Sequence, residues 1–252
     1  MYIVLSGGFG NILFQLSYGY YIERNYNINI SYLDANHYLL LFFRKLRSVS
    51  SHLSHLNDFS EVIPLTRPVT IIELLALSFS RLSNTSFAGV LWSENPPDYS
   101  FLSKSIVRSY FQDNSPIHPD FIDFLRLSFN IPQQTTPYIA IHLRITDSSQ
   151  PPLVLQTYLQ SCFSILSSYV HLPIVFVTNN IDAARMYIQD CFKLSRTPTF
   201  VSSSPCEDFK ILASAEVLVI SNSTFSWWAS EISPNEQRIF MPSPSLFGQP
   251  FD

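Results

Sequence analysis

One strand that ends in a polar loop constrains this chain more than any other feature of its sequence. Apolar residues at 138–141 lead directly into His142, Arg144 and Asp147. In an open parallel sheet ligands bind where the strands end, so a polar strand end marks a candidate site. His142 and Arg144 lie on the same side of a continuing strand. An imidazole beside a guanidinium suits a phosphate, whereas the alternative is an ordinary solvated strand end.

Alternating strand and helix signals surround this stretch. A strand at 2–5 runs through a glycine turn into a helix, and a second strand is predicted at 28–33. After the proline-bearing segment 130–137, strands are predicted at 138–143, 174–178, 199–201, 217–220 and 238–241, with helices between them. This alternation is typical of parallel sheets covered by helices. We predict an α/β fold of two doubly wound, Rossmann-like domains, 1–134 and 135–252, facing across a cleft.

The composition limits the classes of partner. The chain has 252 residues, of which 46% are hydrophobic and 13% are charged. Such a chain folds, and its length suits one large domain or two of ordinary size. The net charge of −4 argues against a nucleic-acid partner held by a general basic face.

The sequence also predicts a compartment. The cysteines are odd in number and lack metal-ligand spacing, which indicates reduced thiols in a cytoplasmic protein. We expect neither a signal peptide nor a transmembrane helix, because no sufficiently long apolar run is present. The apolar run 38–43, followed by Arg44, Lys45 and Arg47, could give peripheral contact with an anionic membrane. A core helix with a solvated end is the alternative.

A glycine turn at 7–11 joins the first predicted strand to the first helix. Glycines let a backbone approach a ligand, and a helix N-terminus favours an anion. A dinucleotide fingerprint would use Gly8, Gly10 and Asp34, but its third glycine would fall at Leu13. A tight structural turn is the remaining reading.

Two further polar turns precede predicted helices. Residues 221–224 offer hydroxyls and backbone N–H groups to an anion, and the aromatic residues after them are most simply core. Asp208 is either a helix cap or a carboxylate that recognises a base. The sequence contains no Asp-x-Asp, no metal-ligand cluster and no P-loop, so no metal is predicted.

Taken in order, these motifs resemble the bacterial inverting α-1,2-fucosyltransferases of glycosyltransferase family 11. The loop at 7–15, Gly-Gly-Phe-Gly-Asn-Ile-Leu-Phe-Gln, looks like the family's opening motif. Residues 142–147 resemble its His-x-Arg-Arg-x-Asp element, with Ile145 in place of the second arginine. Residues 222–228 match its Asn-Ser-Ser/Thr-Phe-Ser-Trp-Trp segment, and 92–94 stand where it has Trp-Gln-Ser-Glu.

The resemblance implies a GT-B-type fold, with the donor on the C-terminal domain and the acceptor mainly on the N-terminal one. It implies metal-independent transfer of L-fucose from GDP-β-L-fucose, with inversion, to a sugar hydroxyl such as galactose O2. The acceptor would be an oligosaccharide or a lipid-linked glycan. Arg144 and His142 would bind the diphosphate. The other donor-binding residues that the resemblance implies are Gly8, Gly10, Asn11, Asp208, Ser223, Thr224 and Phe225.

The general base of such a transfer stays open. The candidates that could deprotonate the acceptor are Asp147, Glu94, Asp34 and His37. Asp147 could equally hold Arg144 in place. Ile145 favours an alternative, a nucleotide-sugar-binding protein without transferase activity. An NAD-type oxidoreductase built on the glycine turn is a third class, and it leaves 142–147 and 222–228 unexplained.

Overall fold

The chain forms two compact units, Met1–Ile122 and Asp123–Asp252, each with its own parallel sheet. The computed structural model describes residues 1–5, 7–34, 65–68, 70, 73, 76–77, 90–92, 106–108, 117–133, 136–145, 152–194 and 196–242. Both sheets have five strands, and every strand pair within them is parallel. The predicted α/β class is therefore confirmed.

The first unit is organised around its first strand. Its strands are β1 (Tyr2–Leu5), β2 (Ser31–Asp34), β3 (Leu65–Pro68), β4 (Val90–Trp92) and β5 (Ile106–Arg108), in the order β3-β2-β1-β5-β4. Strand β1 is central because three consecutive residues, Ile3 to Leu5, are fully buried. Helix α1 (Phe9–Tyr26) follows directly after the glycine turn.

Strands β3 and β5 had no clear signal in the sequence. Both are short, and β3 lies at the edge of the sheet and ends in Pro68. A proline is tolerated in an edge strand because its missing N–H is not needed by a second neighbour. The second strand begins at Ser31, later than predicted, because Asn27 to Ile30 form the connection from α1.

The second unit has the strand order of a doubly wound sheet. Its strands are β6 (Ile139–Leu143), β7 (Ile174–Thr178), β8 (Thr199–Val201), β9 (Val217–Val219) and β10 (Arg238–Phe240), in the order β10-β9-β6-β7-β8. The chain builds outward from β6 to β8 and then returns to the other side of β6. This reversal between β6 and β9 creates a topological switch point, where such sheets bind ligands.

Side chains cap three of the helices described from residue 119 onward. These helices are α2 (Pro119–Phe129), α3 (Pro152–Leu166), α4 (Ile181–Cys191), α5 (Pro205–Ser214) and α6 (Thr224–Glu231). Asn180, Ser204 and Ser223 each accept a hydrogen bond from a backbone N–H in the first turn of α4, α5 and α6. Such side-chain oxygens satisfy donors that a helix leaves unpaired.

The division between the units falls within α2, before the predicted boundary after residue 134. The second half of α2 is attached to the C-terminal unit. Arg126 donates hydrogen bonds to the carbonyl oxygens of Ile232 and Ser233, at 3.1 and 2.8 Å. Phe129 packs against Phe209, with ring centroids 5.5 Å apart. The proline-bearing segment therefore follows the structural division instead of forming it.

A buried tyrosine ties α3 to the ends of two strands. The hydroxyl of Tyr158 lies 2.8 Å from the carbonyl oxygens of both Ile220 and Phe240. Burial raises the pKa of Tyr158 well above its usual range, so the hydroxyl keeps its proton and acts as a donor. None of the helices that the structure describes is long and apolar enough to cross a membrane.

Candidate functional site

Polar residues of the second unit collect at the carboxyl edge of its sheet. His142 is near the end of β6, Ser221 follows β9 after one residue, and α5 begins after β8. Because all five strands are parallel, their carboxyl ends lie on the same edge. The sequence-predicted His142, Asp208 and the Ser223–Phe225 turn are thus brought to one edge.

His142 is held by a serine across the switch point. Its Nδ1 lies 2.8 Å from Oγ of Ser221, which is only 4% exposed. When the serine hydroxyl donates this bond, the imidazole carries its proton on Nε2. The half-buried ring is then a fixed N–H donor of the kind that a phosphate oxygen accepts.

Aromatic packing sets the orientation of the same ring. The His142 and Phe225 rings lie 5.5 Å apart between centroids, and Phe225 in turn packs at 5.4 Å on Phe209 of α5. Phe225 therefore contacts residues from both neighbouring elements of the site. Its predicted place in the nucleotide pocket fits this half-buried position, while the buried Trp228 belongs to the core, as predicted.

Local hydrogen bonds hold the turn before α6, in which Ser221 and Ser223 are buried. Ser223 caps the helix by accepting a hydrogen bond from the N–H of Phe225 at 3.3 Å. The hydroxyl of Ser226 lies 3.4 Å from the carbonyl of Ser221 and 3.3 Å from that of Ser223. The Ser223 hydroxyl therefore serves a local cap, and Thr224 opens a helix whose dipole favours negative charge at this end.

Asp208 lies in the first turn of α5, but the helix is capped by another residue. Ser204 accepts the hydrogen bond from Glu207 N–H at 3.2 Å, and Asp208 Oδ1 accepts one from Ser203 N–H at 2.9 Å. Burial raises the pKa of the Asp208 carboxyl, the Ser203 N–H lowers it, and nearby Glu207 raises it further. Asp208 is thus a half-buried acid at the carboxyl edge of the sheet, where burial and Glu207 disfavour its charged form.

Arg144 and Ile145 follow β6 and differ in their surroundings. Arg144 is half-buried in the loop after the strand. Ile145, where the family resemblance expects a second arginine, packs against the hydrophobic core of the second unit. Ile145 therefore contributes to packing, and Arg144 is the arginine of this segment that can bind an anion.

In the first unit, the glycine turn leaves space beside the backbone. Gly7 has φ of 91°, which favours glycine, whereas Gly8 has an ordinary φ of −78° and caps α1 without a side chain. A Cβ at Gly8 would meet nothing within 4 Å. Neither local strain nor packing requires glycine at position 8, which fits a backbone approached by a ligand. Gly10 is buried in α1, and Asn11 is half-buried beside it.

The glycine turn departs from a dinucleotide-binding fingerprint at one position. Leu13, at the position of the third fingerprint glycine, is fully buried in the core. That glycine normally allows a helix to pack closely on its strand. Asp34 does lie at the carboxyl end of β2, paired with Leu5 of β1.

Three predicted site residues, Asp147, Glu94 and His37, lie outside the described residues, as does the predicted membrane-contact segment 38–47. Their roles stay predictions. Among the described residues, no group of three or more His, Cys, Asp or Glu side chains is placed to hold a metal ion.

The sequence did not single out Ser221 as the partner of His142, nor Tyr158. Ser221 and His142 are 79 residues apart in the sequence, and Tyr158 is 62 residues from Ile220, whose carbonyl it contacts. The usable signal for Ser221 was its place directly after a strand that neighbours β6. No comparable signal marked Tyr158, which looks like any apolar-face residue of an amphipathic helix.

Solved structures of other proteins have a fold similar to that of this chain. E. coli heptosyltransferase WaaC aligns with TM-scores of 0.50 with ADP and 0.51 with ADP-2-deoxy-2-fluoro heptose. The alignments cover 98% of this chain, 89% and 95% of the WaaC chains, and are 11% and 10% identical. A GDP complex of a mutant Arabidopsis thaliana FUT1 aligns over 97% of this chain and 71% of its own, at 11% identity and a TM-score of 0.47. The fold is that of the GT-B glycosyltransferases, as predicted.

A family model matches the second unit. The model of Glycosyl transferase family 11 matches residues 120–244, which contain the whole carboxyl-edge site of this unit. The predicted resemblance to family 11 is therefore confirmed over this part of the chain. No curated protein sequence matches the chain.

Proposed function

We propose that the protein transfers L-fucose from GDP-β-L-fucose to a sugar hydroxyl, galactose O2 in an oligosaccharide or lipid-linked glycan, with inversion and without a metal. The observation that carries the proposal is the family 11 match over 120–244, which includes His142, Asp208 and the 221–225 turn. GDP is also the nucleotide in the FUT1 complex.

The chemistry required at the site is electrostatic. In an inverting transfer the acceptor oxygen attacks the anomeric carbon while the bond to the GDP β-phosphate breaks, so negative charge grows on the phosphate oxygens. Arg144 would bind these oxygens as a fixed cation, and His142 would donate from Nε2. The N-terminus of α6 adds a favourable dipole.

The remaining proposed roles are binding of the rest of the donor and deprotonation of the acceptor. Asp208 would accept hydrogen bonds from guanine, with Phe225 beside the nucleotide, and Gly8, Gly10 and Asn11 would bind the donor from the first unit. Asp147, Glu94, Asp34 and His37 are the proposed candidates for deprotonating the acceptor. No step of this scheme calls for a bound cation, because Arg144 supplies the positive charge at the leaving group.

The first experiment measures GDP release from GDP-fucose with a panel of β-galactosides in EDTA. We expect release that depends on an acceptor and is unchanged by the chelator. Arg144→Ala should lower the rate by roughly 10²–10³, the usual cost of one transition-state donor, with an unchanged thermal melt. Arg238→Ala, an exposed arginine on β10, is the matched control and should retain activity.

The outcomes separate the alternatives. GDP binding without turnover on any acceptor would favour a nucleotide-sugar-binding protein. Absence of GDP binding would refute the proposal. Release in buffer with Mg²⁺ but none in EDTA would refute metal independence alone.

A further inference from the structure

A groove in the C-terminal unit, apart from the candidate donor site, is lined by two arginine side chains and one lysine side chain. It has a volume of about 840 Å³, and its basic residues are Arg185, Lys193 and Arg196. Gln189 also lines it, and the rings of Phe192 and Phe200 form an apolar part of its wall. That volume is within the range of sites that bind small molecules, about 300–1,000 Å³.

The groove lies at the opposite edge of the sheet from the donor site. Phe192, Lys193 and Arg196 precede Thr199, the first residue of β8, so they lie at the amino end of that strand. His142 and Ser221 lie at the carboxyl end of the same parallel sheet. A ligand in the groove would therefore be separate from the nucleotide sugar.

The cations of the groove are exposed, and no carboxylate of the described residues forms an ion pair with them. Among the described residues that line it, none is Asp or Glu. Elsewhere in the described chain, Arg126 and Lys210 pair with acids one helical turn away, whereas the three groove cations form no ion pair. Like charges gathered without a counter-charge repel one another, and a bound anion relieves that repulsion.

One of these cations is held in place by an aromatic ring. The Arg185 guanidinium lies over Phe200, 5.7 Å from the ring centroid. Arg185 and Gln189 are four residues apart on α4 and lie on one face of the helix. Arg185 therefore both lines the groove and lies against one of its rings, and the donor fork of a guanidinium matches phosphate oxygens.

We propose that this groove binds a phosphate-bearing ligand at a site distinct from the donor site. Three cations within one groove suit a group with more than one negative charge, and the net charge of −4 makes this local positive region stand out. The phosphate could belong to a soluble ligand or to the headgroup of an anionic lipid. The proposal does not depend on the sugar that the enzyme transfers.

The test uses the full chain and two probes at low ionic strength. Inorganic pyrophosphate is titrated by calorimetry, and co-sedimentation is measured with phosphatidylglycerol vesicles and with phosphatidylcholine vesicles. We expect binding of at least one anionic probe, weakened about tenfold or more in Arg185→Gln and in Arg196→Gln. Binding of pyrophosphate alone assigns a soluble ligand, and binding of anionic vesicles assigns a lipid headgroup.

Arg238→Gln is the matched control, because Arg238 also lies over a ring, Tyr169 at 6.0 Å, but on the other outer strand of the sheet. It should bind like the unmodified protein. If pyrophosphate binds at the donor site instead of the groove, its affinity should fall in Arg144→Ala. Binding of neither probe, or equal losses in Arg185→Gln and Arg238→Gln, would overturn the proposal. GDP should raise the melting temperature of Arg185→Gln and Arg196→Gln as much as that of the unmodified protein. The GDP shift thus tests the donor site, and binding of the anionic probes tests the groove.

Discussion

At the scale of single residues, the contact between His142 and Ser221 is the best-defined feature of the candidate site. It joins β6 to the loop after β9, at the point where the strand order reverses. A half-buried imidazole with one nitrogen bonded has a single preferred tautomer. We therefore propose that the serine is a positioning residue, which fixes the His142 ring for the proposed donor.

Ser221→Ala should allow both tautomers of His142, which ¹⁵N NMR of the ring detects. We expect kcat/KM for GDP-fucose to fall by up to about tenfold, because the neutral hydrogen bond that keeps the His142 proton on Nε2 is lost. Ser221→Thr, which keeps the hydroxyl, should restore most of the activity. Ser230→Ala, which removes a buried hydroxyl of α6 that donates to the Trp227 carbonyl, is the control. An unchanged tautomer signal in Ser221→Ala would contradict the positioning role.

Asp208 should show a stability cost together with a binding benefit. Its folded pKa is raised above the ordinary 3.8, so the folded state holds the proton more tightly than the unfolded state. The free energy of unfolding contributed by this group therefore falls as pH rises from the unfolded pKa through the folded one. Asp208→Asn, which can still accept from Ser203 N–H, lacks this dependence.

Urea denaturation at several pH values from about 4 upward measures the difference between the two proteins. We expect Asp208→Asn to gain relative stability as pH rises, while its affinity for GDP falls, because an amide offers guanine only one acceptor oxygen. Glu207→Gln, which changes the neighbouring exposed acid, should leave GDP affinity unchanged. Equal GDP affinity in Asp208→Asn would remove Asp208 from the nucleotide pocket.

At the scale of elements, helix α1 carries two glycines with different physical reasons. Gly8 opens the helix, and the space for its Cβ is empty. Gly19 lies inside the helix, where a Cβ would collide with the hydroxyl of Tyr32 on β2. Tyr32 is itself packed in the core cluster around Ile3 and Ile22, and its hydroxyl lies 3.5 Å from the Leu16 carbonyl.

Alanine substitutions should therefore separate fold from function in α1. Gly19→Ala should lower the free energy of unfolding, because overpacking costs about 1–3 kcal/mol. Gly8→Ala should cost about 1 kcal/mol or less, the usual range for a changed N-cap, but should reduce turnover more strongly. Denaturant titration and steady-state kinetics of both variants provide the comparison. Full activity in Gly8→Ala would mean that no ligand approaches this turn.

The elements that the sequence predicted share a strong local signal. Strands β6, β7 and β9 are continuous apolar runs, and Asn180, Ser204 and Ser223 cap the helices that follow β7, β8 and β9. Strand β3 contains Thr66, Arg67 and Pro68, and β5 ends in Arg108, so neither is an unbroken apolar run and both take their structure from neighbouring strands. Their positions could not be read from local pattern alone.

At the scale of the whole molecule, a ligand that binds the folded chain stabilises it by mass action. If the donor site recognises guanine, GDP at 100 times its dissociation constant adds about 2.7 kcal/mol of stability. We expect GDP and GDP-fucose to raise the melting temperature, and UDP and NAD to leave it unchanged. A shift with NAD alone would favour the oxidoreductase class, and equal shifts with GDP and UDP would contradict base recognition.

The sequence by itself determined the class of this protein. Apolar runs that end in polar residues, at His142 and at Ser221, are local patterns, and they indicated an α/β fold with anion-binding strand ends. The motifs at 7–15, 142–147 and 222–228 indicated family 11, which the match over 120–244 confirmed.

Only the tertiary structure decided which side chains act together. It joined His142 to Ser221, packed Ile145 into the core, gave the cap of α5 to Ser204 instead of Asp208, and gathered three cations in a separate groove. The physical reason is that these contacts join residues from different elements. Their geometry depends on strand order and packing, which no local pattern of residues encodes.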